Sequence, residues 1–514
     1  MTFSFINTTD NPRLLVVKIY IATTWIKTIV NRYGELPCGI SIADFIRKKL
    51  HECEWNQRIR SVSVVARYCW FNLDEGSVYM PRYALDEFIQ YLGQYGVVIE
   101  KEMVEPIAPD HIAMEMKPEF ELRPEQIAVT SFLIDETTGD GFKPLALTTG
   151  GGKTASSIYA AVQLGYPTLV ILQGLIEQWI DSILKFTKCT KDDIYLIKGF
   201  DSLRTLWEMV KNGFKPKFLL CSTRTLAMYV VNPKDNYSHV PPFNDLCEII
   251  GIGTKIIDEC HLNFNTNAQI DFRSNIKMNI YLSATYQRSS RDGRRIFNMY
   301  FPQEYKYGEH FVKKYTIAEI VNYHLCIPAQ DVGKFKTEHG YSQANYERYL
   351  RKRPSFMRLF IDEVMYPVLN TFFCEKCKPG QHCLILVQTR AFAEELFKRL
   401  SKKLVNTTMA IFFSGDPGTE GKETNLQKDV IISTIQSCGT GRDIKGLKTC
   451  INVVSMSSPP QTLQCFGRLR QLPGEDTFYC DLVNEEIFSH RQHSRVRTQL
   501  YKTKAKDVVE FSIR

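Results

Sequence analysis

The chain has 514 residues, of which 44% are hydrophobic and 23% charged, a composition typical of a globular protein. At about 150 residues per domain its length predicts roughly three domains, and no apolar run reaches the about 18 residues of a membrane span. The N-terminus lacks the features of a secretion signal and the 15 cysteines are odd in number, so we expect free thiols in the cytoplasm. The net charge of +8 permits a nucleic-acid partner without requiring one.

The first 115 residues contain no nucleotide-binding motif and are predicted to form a small α+β domain. Strands are predicted at 14–21, 62–65 and 96–100, and helices at 40–51 and 84–94. Pro106 and Pro109 then predict a linker.

A basic cluster surrounds the strand predicted at 62–65. It consists of Arg47, Lys48, Lys49, Arg58, Arg60 and Arg67, and is followed by Tyr68 and Trp70. Arginines beside exposed aromatic rings suit a surface that follows a nucleic-acid backbone and stacks on bases. We expect Arg58 and Arg60 to contact nucleic acid. The alternative interpretation is a solvated face over a small core.

Residues 120–310 alternate between predicted strands and helices, which indicates a parallel sheet. The strands are predicted at 144–147, 168–172, 217–221, 255–257 and 280–282. Because ligands bind at the carboxyl ends of parallel strands, we expect the polar residues that follow these strands to form a site.

A glycine-rich segment, T-T-G-G-G-K-T at 148–154, lies between the first of these strands and a helix predicted at 155–162. Glycines let backbone N–H groups approach phosphate oxygens, a lysine adds positive charge, and a threonine hydroxyl can bind Mg²⁺. The longer G-x-x-x-x-G-K-[ST] spacing would need glycine where the chain has Leu147. The alternative is a glycine-rich surface turn. We expect ATP to bind through Thr149, Gly150, Gly151, Gly152, Lys153 and Thr154.

Two acidic residues, Asp258 and Glu259, follow the strand predicted at 255–257. ATP hydrolysis requires a held Mg²⁺, an oriented water and positive charge on the γ-phosphate. We expect Asp258 and Thr154 to hold Mg²⁺ and Glu259 to polarise the water. Arg468 and Arg470, in the segment Q-C-F-G-R-L-R, are candidate arginine fingers.

A connector is predicted at 311–327, and a second α/β unit from about 328. Its strands are predicted at 383–387, 410–413 and 429–433, and its helices at 356–373, 391–400 and 462–468. Beyond residue 486 the chain is predicted to end in a basic tail, which is either solvated or able to reach phosphate.

Cys374, Cys377, His382 and Cys383 have a spacing similar to that of zinc ligands. The four residues lie in one short loop and the start of a strand, and Cys383 is expected to point into the sheet. We therefore expect them not to bind zinc.

The loop at 148–154, D-E-C-H at 258–261, S-A-T at 283–285 and Q-x-x-G-R-x-R at 464–470 resemble, in this order, the motifs of superfamily 2 helicases of the DExH type. The resemblance covers about residues 120–475. It implies an α/β protein with two tandem RecA-like parallel-sheet lobes, at 116–312 and 313–514, after an accessory DNA-binding domain at 1–115.

The resemblance also implies roles for single residues. Gln126 in L-R-P-x-Q would read adenine, with Arg123 beside it. The residues implied at the ATP site also include Gly441 and Asp443. The residues implied to couple hydrolysis to nucleic-acid binding are His261, Ser283, Thr285 and Gln464. The residues implied to contact the nucleic-acid backbone are Gln173, Thr223, Arg224, Gln388 and Thr434. Many relatives carry the second arginine of the last motif one position later, where this chain has Gln471.

Within the superfamily the chain is most similar to bacteriophage branched-DNA helicases of the UvsW type, by the spacing of 434–443 and by its N-terminal module. This implies an ATP- and Mg²⁺-dependent DNA helicase or translocase that remodels branched DNA in recombination, repair or replication. It would act as a monomer, away from membranes, in the host cytoplasm if viral. The alternatives are an RNA helicase or transcript-release factor, a nucleotide-gated DNA clamp that does not unwind, and a restriction translocase subunit.

Overall fold

The computed structural model describes residues 15–56, 61–137, 141–147, 151–174, 176–231, 240–284, 286, 288, 290–308, 314–338, 340–413, 424–438 and 444–513, without the side chains of 55, 56, 231 and 460. The chain divides into two compact units, the first built mainly from residues before 310 and the second from residues after 309. Among the described residues, none of the helices combines the length and the apolar character needed to cross a membrane.

The first unit begins with a mixed sheet and a separate hairpin. The strands are β1 Val16–Ile21, β2 Trp25–Ile29, β3 His51–Asn56, β4 Ser61–Arg67, β5 Trp70–Asn72, β6 Ser77–Pro81 and β7 Val98–Met103. The sheet has the order β5-β6-β2-β1-β7, and β3 pairs with β4 alone. Helices Ala43–Lys49 and Leu85–Gly93, joined to the short 3₁₀ turn Arg82–Ala84, complete this α+β module.

A parallel sheet forms the rest of the first unit. Its strands are β8 Phe142–Ala146, β9 Thr168–Leu172, β10 Ile194–Ile197, β11 Phe218–Ser222, β12 Thr254–Ile257 and β13 Met278–Ser283, in the order β10-β11-β9-β12-β13-β8. The residues of β9, T-L-V-I-L, are all buried, as expected of a central parallel strand covered on both faces.

Helices connect these strands. They are Pro124–Ile134, Lys153–Leu164, Ile176–Phe186, Gly199–Lys211, Thr223–Leu226, Phe243–Ile250, Phe264–Asp271 and Arg291–Tyr300, with 3₁₀ turns Lys191–Asp193 and Gln303–Tyr305 and a π segment Ala227–Val231. Local sequence fixes several of their ends. Pro124 opens its helix at a position that needs no N–H donor, and Ser290 caps Arg291–Tyr300 by accepting a hydrogen bond from the Gly293 N–H.

The second unit contains another parallel sheet. Its strands are β14 Thr316–Tyr323, β15 Lys336–Thr337, β16 Gly340–Tyr341, β17 His382–Val387, β18 Met409–Phe412, β19 Val430–Thr434, β20 Leu447–Asn452, β21 Thr477–Asn484 and β22 Asp507–Ser512. The sheet order is β18-β19-β17-β20-β21-β14-β22, and β15 pairs with β16 in a small hairpin.

The helices of the second unit lie between these strands. They are Ala329–Val332, Gln343–Lys352, Pro354–Leu359, Tyr366–Leu369, Arg390–Lys403, Ile435–Cys438, Pro459–Phe466 and Phe488–Lys504, with a 3₁₀ turn Gly333–Phe335 and π segments Phe360–Met365 and Asn370–Cys374. The predicted helix at 356–373 is therefore helical throughout but alternates between α and π turns.

Two predictions for the second unit are wrong. The connector predicted at 311–327 contains β14, which lies between β21 and β22. The segment after residue 486 is not a tail, because helix Phe488–Lys504 and strand β22 are part of this unit. Arg497 on that helix is fully buried and its Nε lies 2.7 Å from Asp481 Oδ2.

The N-terminal module packs directly on the first parallel sheet. Trp25 and Tyr79 belong to the same apolar cluster as Phe142, Phe264 and other residues of the sheet and its helices. The segment predicted as a linker is also held, because the N–H of Ile107 donates to the Asn275 carbonyl over 2.8 Å. The module and the first sheet thus share a core.

The prediction that Tyr68 is an exposed aromatic ring beside the basic cluster is wrong. Tyr68 is fully buried, its hydroxyl donates to Glu52 Oε2, and its ring centroid lies 4.9 Å from that of Phe264. Trp70 is half-buried, stacks on Tyr79 and is covered by the Arg273 guanidinium, whose centre is 4.1 Å from the ring centroid.

Candidate functional site

The carboxyl ends of β8, β12 and β13 place the predicted nucleotide residues at one edge of the first sheet. These strands are neighbours in the order β12-β13-β8. The chain that leaves β8 leads into helix Lys153–Leu164, β12 is followed by Asp258 and Glu259, and Ser283 ends β13. The strand-end position expected for ligand groups is therefore the one observed.

Gly152 precedes this helix in the left-handed conformation, with φ of +84°. A Cβ atom built at Gly152 would lie 2.2 Å from Gln126 Nε2 and 2.6 Å from Arg123 Nη2. The positive φ favours glycine at this position, and a side chain here would have to displace the ends of the Gln126 and Arg123 side chains. Gly151 precedes it, and Thr154 is half-buried in the first turn of the helix; Thr149 and Gly150 lie outside the described residues.

Lys153 is buried, with 9% of its surface exposed. Its Nζ donates to the Leu147 carbonyl over 3.0 Å and lies 3.8 Å from Glu259 Oε1. The ammonium group is thus held at the strand edge between a carbonyl and a carboxylate, where an anionic ligand could approach it.

Asp258 is held by two donors. The indole N–H of Trp179 donates to Oδ2 over 3.0 Å, and the Glu259 N–H donates to Oδ1 over 3.0 Å. Burial, together with the Glu259 carboxylate, raises the pKa of Asp258 above its usual range. An oriented carboxylate with this excess of negative charge suits a divalent cation, which is the role predicted for Asp258 with Thr154.

Glu259 has a left-handed backbone, with φ of +49°, a conformation that costs a non-glycine residue energy and often marks a functional site. Its Oε2 is buried and makes no hydrogen bond among the described residues, although His261 Nδ1 lies 3.4 Å away. A carboxylate oxygen in this state can accept a hydrogen bond from a water or a ligand.

His261 links the D-E-C-H and S-A-T segments, since its Nδ1 lies 2.8 Å from Ser283 Oγ. Burial, with the positive charges of Lys153 and Arg288, lowers the pKa of His261 to about 4. The imidazole is therefore neutral near pH 7. Arg288 also donates from Nη1 to the His261 carbonyl over 3.0 Å, whereas Thr285 lies outside the described residues.

Gln126, predicted to read adenine, is 3% exposed. Its Oε1 accepts from the Arg123 N–H over 2.9 Å, and its Nε2 lies 3.4 Å from the Gly152 carbonyl and from Ser156 Oγ. The L-R-P-x-Q segment thus contacts Gly152 at the start of the helix. The Arg123 side chain is more exposed than that of Gln126.

The nucleic-acid candidates of the first unit form a polar group at the ends of β9 and β11. Gln173 Nε2 donates to Thr223 Oγ1 over 2.8 Å, and Asn263 Nδ2 donates to Gln173 Oε1 over 2.6 Å. Arg224 is exposed beside them. Arg58 and Arg60, predicted to bind nucleic acid, lie outside the described residues.

Candidates of the second unit lie on strand ends and on helix Pro459–Phe466. Gln388 follows β17, and Thr434 ends β19 with its Oγ1 donating to Ser437 Oγ over 2.9 Å. Gln464 is half-buried on the helix, Arg468 is buried just after it, and Arg470 donates to the Gly467 carbonyl. Gly441 and Asp443 lie outside the described residues.

Glu347 organises the turn that carries Gln388 and was missed by sequence reasoning. It accepts hydrogen bonds from the N–H groups of Gln388 and Thr389, over 2.7 and 2.8 Å, and from Thr389 Oγ1 over 2.7 Å. Burial raises the pKa of Glu347 to about 7, against these donors. Glutamate on a polar helix carries no sequence signal for such a role.

The cysteine-rich segment does not converge on a site. Cys383 is fully buried in β17, and the His382 Nδ1 atom lies 2.8 Å from the Lys428 carbonyl oxygen. Within the part of the chain that the structure describes, no group of three or more His, Cys, Asp and Glu side chains is arranged to hold a metal ion.

No protein-family model matches the chain, and no curated protein matches its sequence. Among solved structures, that of T4 UvsW is 14% identical, with a TM-score of 0.36, over 97% of this chain and 100% of that one. The ATP-dependent Type ISP restriction-modification enzyme LlaBIII, bound to DNA, is 12% identical, with a TM-score of 0.50, over 83% of this chain. This chain spans 34% of that enzyme. The fold is the predicted one: an α/β chain with two RecA-like parallel-sheet lobes and a small N-terminal module.

Proposed function

We propose that this protein is an ATP-dependent superfamily 2 DNA helicase or translocase that remodels branched DNA. The observation that carries the proposal is the gathering of Lys153, Asp258 and Glu259 at one edge of the first sheet, beyond the ends of β8 and β12 and beside the N-terminus of helix Lys153–Leu164. Phosphate binding, cation binding and water activation each need one of these groups, and phosphoryl transfer needs all three together.

Each group has a separate task. The N-terminus of helix Lys153–Leu164 offers backbone N–H groups to phosphate oxygens, and Lys153 exchanges its weak contact with Glu259 for the outer phosphates. Glu259 then accepts a hydrogen bond from the attacking water through the oxygen that lacks a partner among the described residues.

Asp258 and Thr154 would hold Mg²⁺. The fit rests on the two hydrogen bonds that orient the Asp258 carboxylate and on the Glu259 carboxylate beside it in the chain. Mg²⁺ bound with ATP neutralises charge on the phosphates. Trp179 and the Glu259 N–H keep the Asp258 oxygens in place before the nucleotide arrives.

Coupling to nucleic acid is proposed to pass through His261 and Ser283. The Nδ1 atom of the neutral His261 imidazole is hydrogen-bonded to Ser283 Oγ. The same nitrogen lies 3.4 Å from Glu259 Oε2. In this proposal Thr285 and Gln464 belong to the same coupling set. Gln173, Thr223, Arg224, Gln388 and Thr434 contact the nucleic-acid backbone.

Arg468 and Arg470 are proposed to supply positive charge to the transferred phosphate, with Gly441 and Asp443 near the nucleotide. Arg468 is buried. Because a guanidinium is weakly hydrated, a buried arginine suits recognition of a phosphate from which water is excluded.

DNA, and branched DNA in particular, is proposed as the substrate from the resemblance to the UvsW type and from the basic cluster with Arg58 and Arg60. In the same proposal the domains are 1–115, 116–312 and 313–514. The protein acts as a monomer in the cytoplasm, that of the host if it is viral.

The test measures ATP hydrolysis and strand displacement side by side on forked DNA, four-way junctions, linear duplex and RNA. We expect the strongest stimulation and unwinding on forks or junctions, and we expect Lys153→Ala to abolish turnover, with exposed Lys185→Ala as control. Stronger stimulation by RNA would indicate an RNA helicase, and DNA-stimulated hydrolysis without displacement a clamp. Turnover by Lys153→Ala within a few-fold of the parent would refute the phosphate-loop assignment.

A further inference from the structure

A buried carboxylate joins the N-terminal hairpin β3–β4 to the first parallel sheet. Glu52, on β3, is 5% exposed. Its Oε1 accepts a hydrogen bond from Ser290 Oγ, and its Oε2 accepts one from the Tyr68 hydroxyl over 3.1 Å. Arg288 Nη2 lies 3.7 Å from the same Oε2. A Cβ at Gly293 would lie 2.6 Å from Glu52 Oε1, so the site accommodates this carboxylate closely.

Arg288 also reaches the proposed ATP site. While its Nη2 faces Glu52, its Nη1 donates to the His261 carbonyl over 3.0 Å. His261 is the residue whose imidazole lies against Ser283 and Glu259. One rigid, planar guanidinium therefore spans from the hairpin to the D-E-C-H segment.

The base of the hairpin is hydrogen-bonded to two helices of the first unit, Arg291–Tyr300 and Phe264–Asp271. The Cys53 N–H donates to Asp292 Oδ2 over 3.3 Å, and Gln269 Nε2 donates to the Arg67 and Cys69 carbonyls over 3.1 and 3.0 Å. These hydrogen bonds link the hairpin to the helices that carry Asp292 and Gln269. Away from this base the hairpin is exposed, since β3 and β4 pair only with each other in the described sheets and Val62 is 64% exposed.

We infer that Glu52 and Arg288 are positioning residues through which the β3–β4 hairpin controls the placement of His261 and Glu259, so that nucleic acid engaged by the hairpin alters the rate of ATP hydrolysis. This inference rests on the proposed function. Glu52 holds Arg288 in the orientation that restrains the His261 carbonyl. The hairpin, which lies outside both parallel sheets, thereby gains a direct contact path to the water-activating carboxylate.

The test is a double-mutant cycle with Glu52→Gln, Arg288→Ala and the double variant. Gln keeps an acceptor for Tyr68 or Ser290 and removes the charge that orients Arg288. We expect Glu52→Gln to lower the fork-stimulated kcat by about 5-fold or more, the usual scale of coupling between sites, while KM for ATP stays unchanged. Because both residues act through one contact path, the double variant should be no slower than Arg288→Ala.

Two comparisons separate this inference from a general loss of stability and from failure of the proposed function. Glu102→Gln removes an exposed pair with Lys18 in the same module and should leave stimulation unchanged; thermal melting verifies that each variant is folded. Independent losses that multiply in the double variant, or full stimulation of folded Glu52→Gln, would overturn the inference. If the parent enzyme hydrolyses ATP without responding to any nucleic acid, the proposed function is refuted. In that case the positioning role is tested on the basal rate alone, and an unchanged basal kcat in Glu52→Gln would refute it as well.

Discussion

The indole N–H of Trp179 donates a hydrogen bond to Oδ2 of Asp258 over 3.0 Å. Trp179 is 2% exposed and lies on helix Ile176–Phe186, which follows β9. The proposed Mg²⁺ ligand is therefore oriented by a residue that no motif of the sequence identifies. Loss of a group that orients a metal ligand typically lowers metal affinity or activity by about 10- to 100-fold.

We expect Trp179→Phe to raise the Mg²⁺ concentration needed for half-maximal ATPase activity by about 10-fold, the lower end of such effects. Phenylalanine retains most of the apolar contact and removes the N–H donor. Trp207→Phe, a half-buried tryptophan on helix Gly199–Lys211, is the matched control. Activity titrations with Mg²⁺ measure both, and an unchanged half-maximal concentration in Trp179→Phe would show that Asp258 needs no orientation from the indole.

Glu259→Gln should bind ATP and DNA and hydrolyse ATP very slowly. Glutamine preserves the shape of the side chain and loses the negative charge that polarises water; general-base contributions are about 10²- to 10⁴-fold. Single-turnover hydrolysis and nucleotide binding are measured separately, with exposed Glu248→Gln as control. If Glu259→Gln also fails to bind nucleotide, the residue has a structural role at the strained 259 position.

The strands that precede the motifs were the most predictable features. The strands predicted at 144–147 and 255–257 correspond to the observed strands Phe142–Ala146 and Thr254–Ile257, and Asp258 follows the second of them directly. This information is local, since strand, turn and helix succeed one another within about 20 residues.

Contacts between distant segments were not predictable. Tyr68 was expected on the surface, and is buried because Phe264 and Glu52 meet it from other parts of the chain. Strand β14 lies where the sequence predicts a connector; its polar residues Glu319 and Asn322 are each only 7% exposed in the sheet. Deleting residues 1–115 would expose the apolar core that this module shares with the first sheet. A loss of DNA binding in such a truncated protein would not distinguish a lost DNA contact from unfolding.

Glu347 predicts a pH dependence of stability in the second unit. Burial raises its pKa from the usual 4.5 to about 7, so the native state binds a proton more tightly than the unfolded chain. The resulting stabilisation is complete below pH 4.5 and is lost as the pH rises through 7. A shift of this size corresponds to about 3 kcal/mol.

Glu347→Gln should remove this dependence. Glutamine does not titrate, and it costs stability at every pH because it offers one acceptor oxygen instead of two to Gln388 and Thr389. The unfolding free energy of the parent minus that of the variant should therefore fall by about 3 kcal/mol between pH 4.5 and 8. Denaturation at several pH values measures it, with exposed Glu363→Gln as control; a difference independent of pH would mean that Glu347 is ionised throughout.

Arg497 and Asp481 form a buried ion pair in the second unit. Both side chains are 1% exposed, Arg497 Nε lies 2.7 Å from Asp481 Oδ2, and Arg497 Nη1 donates to the Met456 carbonyl over 2.8 Å. The Tyr501 hydroxyl donates to the same Asp481 oxygen. Because a buried charge without its partner is strongly unfavourable, Arg497→Met should destabilise the second unit by about 3–5 kcal/mol.

Replacing both partners should be less harmful than replacing one, since Arg497→Met with Asp481→Leu leaves no unpaired buried charge. Arg495→Met, two residues earlier on the exposed face of the same helix, should change stability by no more than about 0.5 kcal/mol. Hydrogen exchange of the amides in β20 and β21 reports unfolding of this unit without requiring the whole chain to unfold in one step. Equal exchange rates in Arg497→Met and Arg495→Met would restore the solvated-tail interpretation of the basic C-terminal segment.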